Sequence, residues 1–239
     1  MAVAPTLSIV MPAYNEEGAI AAAVDEVRQC IFPCIGACEL IIVNDGSRDR
    51  TGPILDELAA ADTRLRIIHQ PNAGHGPAVR RGMDEADGAW LMLIDSDRQI
   101  SLEGFGRYWQ IAQEHDGLFG IRRQRHDPPL RLVITRLLRW GLRILLGVRL
   151  ADANVPFKIL KREIFLAART IIPPDSLTPS LLLAAFAVRA GYDIATEPIV
   201  HRPRTTGVVS IRRWRLIKFC ARSLRQLMAF RKRLGHRGQ

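Results

Sequence analysis

The chain has 239 residues, 48% of them hydrophobic, enough for a single α/β domain with a sizeable core or for one domain with a short appendage. No apolar run reaches about 18 residues, so no segment is expected to span a bilayer. The net charge of +10 is unevenly placed: residues 121–149 hold eight Arg and one acid, residues 201–239 twelve Lys and Arg and no acid, leaving 14 basic and 23 acidic residues elsewhere.

An acidic body with two basic segments implies an anionic partner met at a defined surface. The opening stretch to Ser8 lacks the basic-then-apolar pattern of a signal peptide, so none is expected. Four cysteines are too few for a disulfide framework, and Cys30, Cys34 and Cys38 lack the nearby His or second Cys pair of a zinc site. A reducing, cytosolic compartment is the expectation.

Short β-rich runs alternate with helical patterns through the first half, as a parallel sheet with crossover helices requires. Leu7 to Met11 is expected as the first strand, followed by a helix from Gly18 to Cys30. Glu39 to Val43 is the second strand and Thr51 to Ala61 the next helix. A short third strand, Arg66 to His69, leads to a helix from about Pro77 to Asp87. Trp90 to Ile94 forms the fourth strand and Leu118 to Ile121 the fifth. Ligands of such sheets bind at the carboxyl ends of the strands.

Those ends carry polar and aromatic groups. The first strand runs into Pro12-Ala13-Tyr14-Asn15-Glu16-Glu17, the second into Asn44-Asp45-Gly46-Ser47, and the third into Pro71-Asn72-Ala73-Gly74-His75-Gly76. Each alone would pass as a turn. The fourth ends in Asp95-Ser96-Asp97-Arg98-Gln99, two carboxylates spaced i, i+2 after a buried strand. Carboxylates there are costly unless compensated, and Mg²⁺ or Mn²⁺ completed by the oxygens of a diphosphate is the usual compensation. The alternative is an Asp-Ser-Asp turn capping a helix at Leu102. A dinucleotide fold fails on spacing, because Val79 stands where the third glycine of Gly74-x-Gly76 would fall, and no Walker-type loop occurs.

Taken in order, the motifs resemble the family 2 inverting glycosyltransferases of GT-A fold, and more narrowly the polyprenyl-phosphate sugar transferases that include dolichyl-phosphate mannose synthase. The matching segments are IVMPAYNEE from Ile9, VNDGSRDRT from Val43, NAGHGPAVRRG from Asn72, DSDRQ from Asp95, Gly120-Ile121-Arg122, Asp152-x-x-x-Pro156-Phe157-Lys158, and a closing His201-Arg202-Pro203-Arg204-x-x-Gly207-x-x-Ser210. The resemblance implies a single mostly parallel sheet flanked by helices over 1–210, with a basic amphipathic helix and tail over 211–239.

It also implies roles. Asp97 would ligate the metal directly, Asp95 would contact ribose or metal, and Gln99 would support metal and phosphate. Pro12, Tyr14 and Glu16 would line the nucleoside pocket, with Asp45 at the base or ribose. Arg122, Arg131 and Thr135 would hold the acceptor phosphate, Arg122 and Arg131 aiding catalysis. Arg202 and Arg204 would close over the donor diphosphate or the acceptor phosphate. A phosphate monoester is largely dianionic at neutral pH and needs cations rather than a base. A hydroxyl acceptor would instead need a base, for which Asp175 is the candidate; the other reading of Asp175 is a cap for a helix beginning near Thr178.

A polyprenyl phosphate requires contact with a membrane. Ile211 to Arg233 has the pattern of an amphipathic helix, Arg215, Lys218, Arg222 and Arg225 in one stripe and Trp214, Ile217, Ala221, Leu224 and Met228 in the next. Residues 130–150 offer a second surface. Packing on the sheet and docking on a membrane subunit are the competing uses of these apolar faces. A cytoplasmic enzyme peripherally bound to the cytoplasmic face of a membrane is expected. A nucleic-acid binding module would explain the basic C-terminal charge, but not the acidic strand ends, and no nucleic-acid partner is expected.

Overall fold

The computed structural model describes residues 5–122, 140–152, 155–202 and 213–235, with side chains of the last segment described over 222–234. Seven strands form one sheet: β1 (Leu7–Ala13), β2 (Cys38–Asp45), β3 (Leu65–Gln70), β4 (Trp90–Leu93), β5 (Gly117–Arg122), β6 (Lys158–Lys161) and β7 (Ile194–Ile199). Their spatial order is β3-β2-β1-β4-β6-β5-β7. β6 alone runs against its neighbours β4 and β5, so the other six share one direction.

Successive residues of a strand point to opposite faces, and the core divides accordingly. Val10, Ile41, Val43, Leu91 and Leu93 join one apolar cluster with Val79, Phe165, Leu182 and Phe230. Ile9, Met11, Leu40, Ile42 and Met92 join the other with Ile20, Val24, Phe105 and Trp109. Helices therefore cover both faces. On the second lie α1 (Ile20–Cys30), α2 (Thr51–Ala61) and α4 (Phe105–Glu114); on the first lie α3 (His75–Asp84), the helical stretch 140–146 (α5), α6 (Arg162–Ala168), α7 (Pro179–Arg189) and α8 (Arg213–Gly235). Leu181 to Ala187 are all buried, so α7 is an internal helix.

β6 and β7 extend the five strands expected from sequence. β6 is four residues flanked by lysines, and β7 is a half-buried strand containing Pro198, so neither carries the apolar signature of a central strand. α3 starts two residues earlier than expected and ends at Asp84, because the following turn is drawn to the sheet: the Asp87 N–H donates to Glu39 and the Gly88 N–H to Ser8 Oγ. The C-terminal helix is packed onto the core through Leu227 and Phe230, both buried. Among the described residues no helix is long and apolar enough to cross a membrane.

Candidate active site

Parallel strands bring their carboxyl ends to one edge, and the reversal of β6 brings its first residue, Lys158, to that same edge. Lys158 pairs in register with Leu93 on one side and Phe119 on the other. Asp45 ends β2, Asp95 follows β4 and Arg122 ends β5. Four charged groups from four strands thus share one rim.

The last tie of the Asp95 segment to the sheet is the Ile94 N–H donating to the Val10 carbonyl at 3.1 Å. Beyond it the turn is held by side-chain bonds and by backbone bonds to residues 200–202. Asp97 Oδ1 accepts the Gln99 N–H at 3.1 Å, an Asx turn. Arg98 sits in the left-handed region at φ 56°, which costs a residue with a Cβ roughly 1–2 kcal/mol. The segment does not cap a helix at Leu102: α4 begins at Phe105 with Gly104 as its N-cap.

Asp95 Oδ1 lies 3.1 Å from His75 Nε2, at the start of α3. Burial pulls the Asp95 pKa upward, but the His75 hydrogen bond and the charges of His75, Lys158 and Arg122 outweigh it and hold the carboxyl below its ordinary value. Lys158 is 1% exposed, and burial presses its pKa down to about 8 against the opposing pull of Asp152 and Asp95. Its ammonium donates to the Val155 carbonyl.

Two partly exposed carboxylates with oxygen donors suit a hard divalent ion finished by water and diphosphate oxygens. Among the described residues no group of three or more His, Cys, Asp and Glu could hold an ion unaided. Asp95 and Asp97 are the residues that would hold such an ion, with the remaining ligands coming from water and substrate oxygens. The Gln99 backbone is fixed at both ends, its carbonyl accepting the Arg202 N–H at 2.7 Å.

The neighbouring wall is laced between two loops. The Asn15 N–H donates to Ser47 Oγ (3.0 Å), the Arg48 N–H to Asn15 Oδ1 (2.8 Å), and the Glu16 N–H to Thr51 Oγ1 (2.8 Å). Pro12 is buried in β1, while Tyr14 is exposed beside it. Asp45 is 2% exposed, and both its oxygens are engaged: Oδ1 by Gln70 Nε2 (2.7 Å) and the Ala73 N–H (2.8 Å), Oδ2 by the Gly74 N–H (2.8 Å). These bonds shape the turn before α3. Gly46, at φ +68°, lets the two turns meet, since a Cβ there would lie 2.6 Å from the Asn72 nitrogen.

The cations differ from expectation in their partners. Arg122 is forked onto Asp152, Nε to Oδ2 at 2.8 Å and Nη2 to Oδ1 at 3.0 Å, with Asp152 almost fully buried. The guanidinium plane is thereby set in advance. Arg202, expected to close over a phosphate, is instead bound into the protein: Nη1 donates to Glu26 (3.2 Å), and Nη2 to Ser101 Oγ (2.7 Å) and Glu103 (3.1 Å). Arg131, Thr135 and Arg204 lie outside the described residues, as do Arg123 and Arg125. Asp175 does not cap α7, whose N-cap is Thr178 without a side-chain bond; it pairs with Arg222 at 3.2 Å.

A small cleft beneath the turn is lined by Met11, Glu26, Asp95, Asp97, Arg98 and Ile100, among others. A larger one of about 620 Å³, lined by Arg80, Arg169, Pro173, Asp175 and Arg233 among others, shares no residue with it. Sequence reasoning assigned no role to His75, Lys158, Asp152 or Glu26. The first three sit inside quoted motif segments and could have been singled out; Glu26, an acid within a helix, gave no signal.

The glycosyl transferase family 2 model matches residues 8–167. Over 208 residues the chain is 30% identical to glycosyltransferase AglD of Haloferax volcanii, covering 83% of this chain and 33% of that protein. It is 29% identical over 161 residues to undecaprenyl-phosphate 4-deoxy-4-formamido-L-arabinose transferase of Pseudomonas aeruginosa, covering 66% of this chain and 48% of the relative. The chain thus spans a third to a half of the length of these curated relatives. Glucosyl-3-phosphoglycerate synthase from Mycobacterium tuberculosis, solved with Mn²⁺, UDP and phosphoglyceric acid, superposes with a TM-score of 0.62 at 21% identity, covering 95% of this chain and 78% of that one. The seven-stranded sheet with helices on both faces is the GT-A fold, and the chain belongs to glycosyl transferase family 2.

Proposed function

We infer that the protein moves a sugar, with inversion, from a nucleotide-diphosphate sugar to a polyprenyl phosphate at a membrane surface. The observation that carries this reading is the convergence, at one sheet edge, of the Asp95–Asp97 turn with the preset guanidinium of Arg122. Only β6 separates the strand that leads to Asp95 from the strand that ends at Arg122, with Lys158 in register with both. Asp95 and Asp97, with Gln99 in support, would hold Mg²⁺ or Mn²⁺, which when bound supplies positive charge for the departing diphosphate. Pro12, Tyr14 and Glu16 form the nucleoside wall, and Asp45 keeps the adjoining turn in shape.

On the acceptor side, Arg122 holds a phosphate whose oxygen attacks the anomeric carbon as the bond to the diphosphate breaks. Arg131, Thr135 and Arg204 are assigned to the same anions by motif. Such a nucleophile is already ionised near neutrality and needs orientation, not deprotonation. The pairing of Asp175 with Arg222 weighs against Asp175 as a base for a hydroxyl acceptor. The undecaprenyl-phosphate named for the Pseudomonas aeruginosa relative supports the lipid acceptor.

Trp140 and Ile144 on α5, and Leu224 and Met228 on α8, are exposed large apolar residues. The two helices adjoin, since a Cβ on Gly141 would lie 3.8 Å from Leu227. With Arg143, Arg222, Arg225 and Arg231 also exposed, this flank suits the cytoplasmic face of an anionic membrane. The test is a nucleotide-sugar panel with Mg²⁺ or Mn²⁺ and a short-chain polyprenyl phosphate, following label into the lipid fraction. Metal-dependent labelling from one donor is expected; donor hydrolysis without lipid product from any donor would move the assignment to a hydroxyl acceptor.

A further inference from the structure

The turn bearing Asp95 and Asp97 leaves the sheet after Ile94 and passes through the left-handed Arg98. Backbone in such a region persists where surrounding structure over-determines it. The contacts that do so meet on one carboxylate outside every strand-end motif. Glu26 of α1, its side chain 10% exposed, accepts Arg98 Nε on Oε2 at 3.4 Å, and both the Leu102 N–H and Arg202 Nη1 on Oε1 at 3.2 Å.

Arg202 carries the connection further. Its own N–H bonds to the Gln99 carbonyl and its Nη2 to Ser101 Oγ, while Ile100 and His201 form an antiparallel bridge. Three segments distant in sequence, α1, the turn 95–102 and residues 200–202, are joined at Glu26. Glu26 also lines the small cleft that Asp95 and Asp97 line.

We propose that Glu26 is a positioning residue of the donor site: it fixes the stretch from Arg98 to Leu102 that follows Asp97, while the sheet holds Ile94 before it, so that the two aspartates address one ion, and it ties the 200–202 segment to that turn. Both Glu26 oxygens are taken by Arg98, Leu102 and Arg202, so it acts through the turn and not as an ion ligand. The inference rests on the donor-site reading above. Glu26→Gln keeps an acceptor for the Leu102 N–H but sets an uncharged amide against two guanidinium groups, removing the charge-assisted part of the clamp.

The test uses the full chain and Mn²⁺, titrated by electron paramagnetic resonance in the presence of UDP and, in parallel, GDP. For Glu26→Gln we expect Mn²⁺ affinity in the presence of the nucleotide to fall about tenfold and the donor KM to rise with it, with a melting temperature close to that of the parent. Arg202→Gln, altered at a partly exposed position, is expected to weaken Mn²⁺ less, and the double variant to lose less than the product of the two single effects. Unchanged Mn²⁺ affinity in Glu26→Gln, or strictly multiplicative losses in the double variant, overturns the positioning role while leaving the donor site standing. Absence of nucleotide-dependent Mn²⁺ binding in the parent protein overturns the donor-site reading itself.

Discussion

At the carboxyl ends of β1 to β3 the loops are bonded to one another, whereas the flank made by α5 and α8 leaves Trp140, Ile144, Leu224 and Met228 exposed, with arginines on the same two helices. The first arrangement is costly to deform and suits a small, highly charged ligand that must be held in one geometry. The second presents apolar side chains beside cations and suits a broad surface that is itself apolar below and anionic above. On the proposed function, donor recognition and membrane attachment fall to different regions, so each should be removable without the other.

The sharpest break is at the donor edge. Asp97→Asn should lower kcat for transfer at least 100-fold, on the order of 3 kcal/mol of lost stabilisation for the departing diphosphate, while leaving vesicle binding unchanged in a flotation assay. Loss of both together would erase the division between the two regions.

Lys158 tests how far the donor edge trades stability for charge. Below about pH 8 its ammonium is charged in both folded and unfolded chains, and the burial cost is fully present. As pH rises from there toward the ordinary lysine value, the folded chain has released the proton and the unfolded chain has not, so stability climbs. Lys158→Met should abolish that climb, worth roughly 2 kcal/mol between pH 7 and pH 9.5, as read from urea midpoints at those two values. It should also reduce transfer, because Asp95 and Asp152 lose a compensating charge.

The smallest effect belongs to the flank. Trp140→Ser combined with Met228→Ser should weaken binding to phosphatidylglycerol vesicles about tenfold, with donor hydrolysis in detergent-free buffer within twofold of the parent. A matching loss of donor turnover would mean that α5 and α8 support the fold of the site and not only its attachment.

The parallel half of the sheet was legible because β1, β2 and β4 are buried on both faces and spell continuous apolar runs between turn residues. β6 escaped because four residues beginning and ending in lysine look like a surface loop, and its reversal is a tertiary fact. The same reversal puts Lys158 beside Asp95, a neighbourhood that spacing cannot reveal. Asp95 and Asp97 stood out as paired charges at a strand end. Arg202 did not disclose its real partners, because Glu26 lies 176 positions away in sequence and an arginine near a phosphate motif looks the same whether it meets a ligand or a carboxylate. The apolar stripe of α8 was visible but ambiguous: Leu227 and Phe230 turn inward, and Leu224 and Met228 outward.

The proposal stands or falls on whether carboxylates holding the ion that neutralises the leaving group, and a guanidinium holding the attacking phosphate, meet in one place. Arg122→Lys keeps the charge but cannot reproduce the fork on Asp152, so steady-state kinetics with saturating Mn²⁺ separate the two patches. The KM for polyprenyl phosphate should rise at least tenfold, with the nucleotide-sugar KM within twofold of the parent. An unchanged KM for the lipid alongside a raised KM for the donor would contradict the proposal.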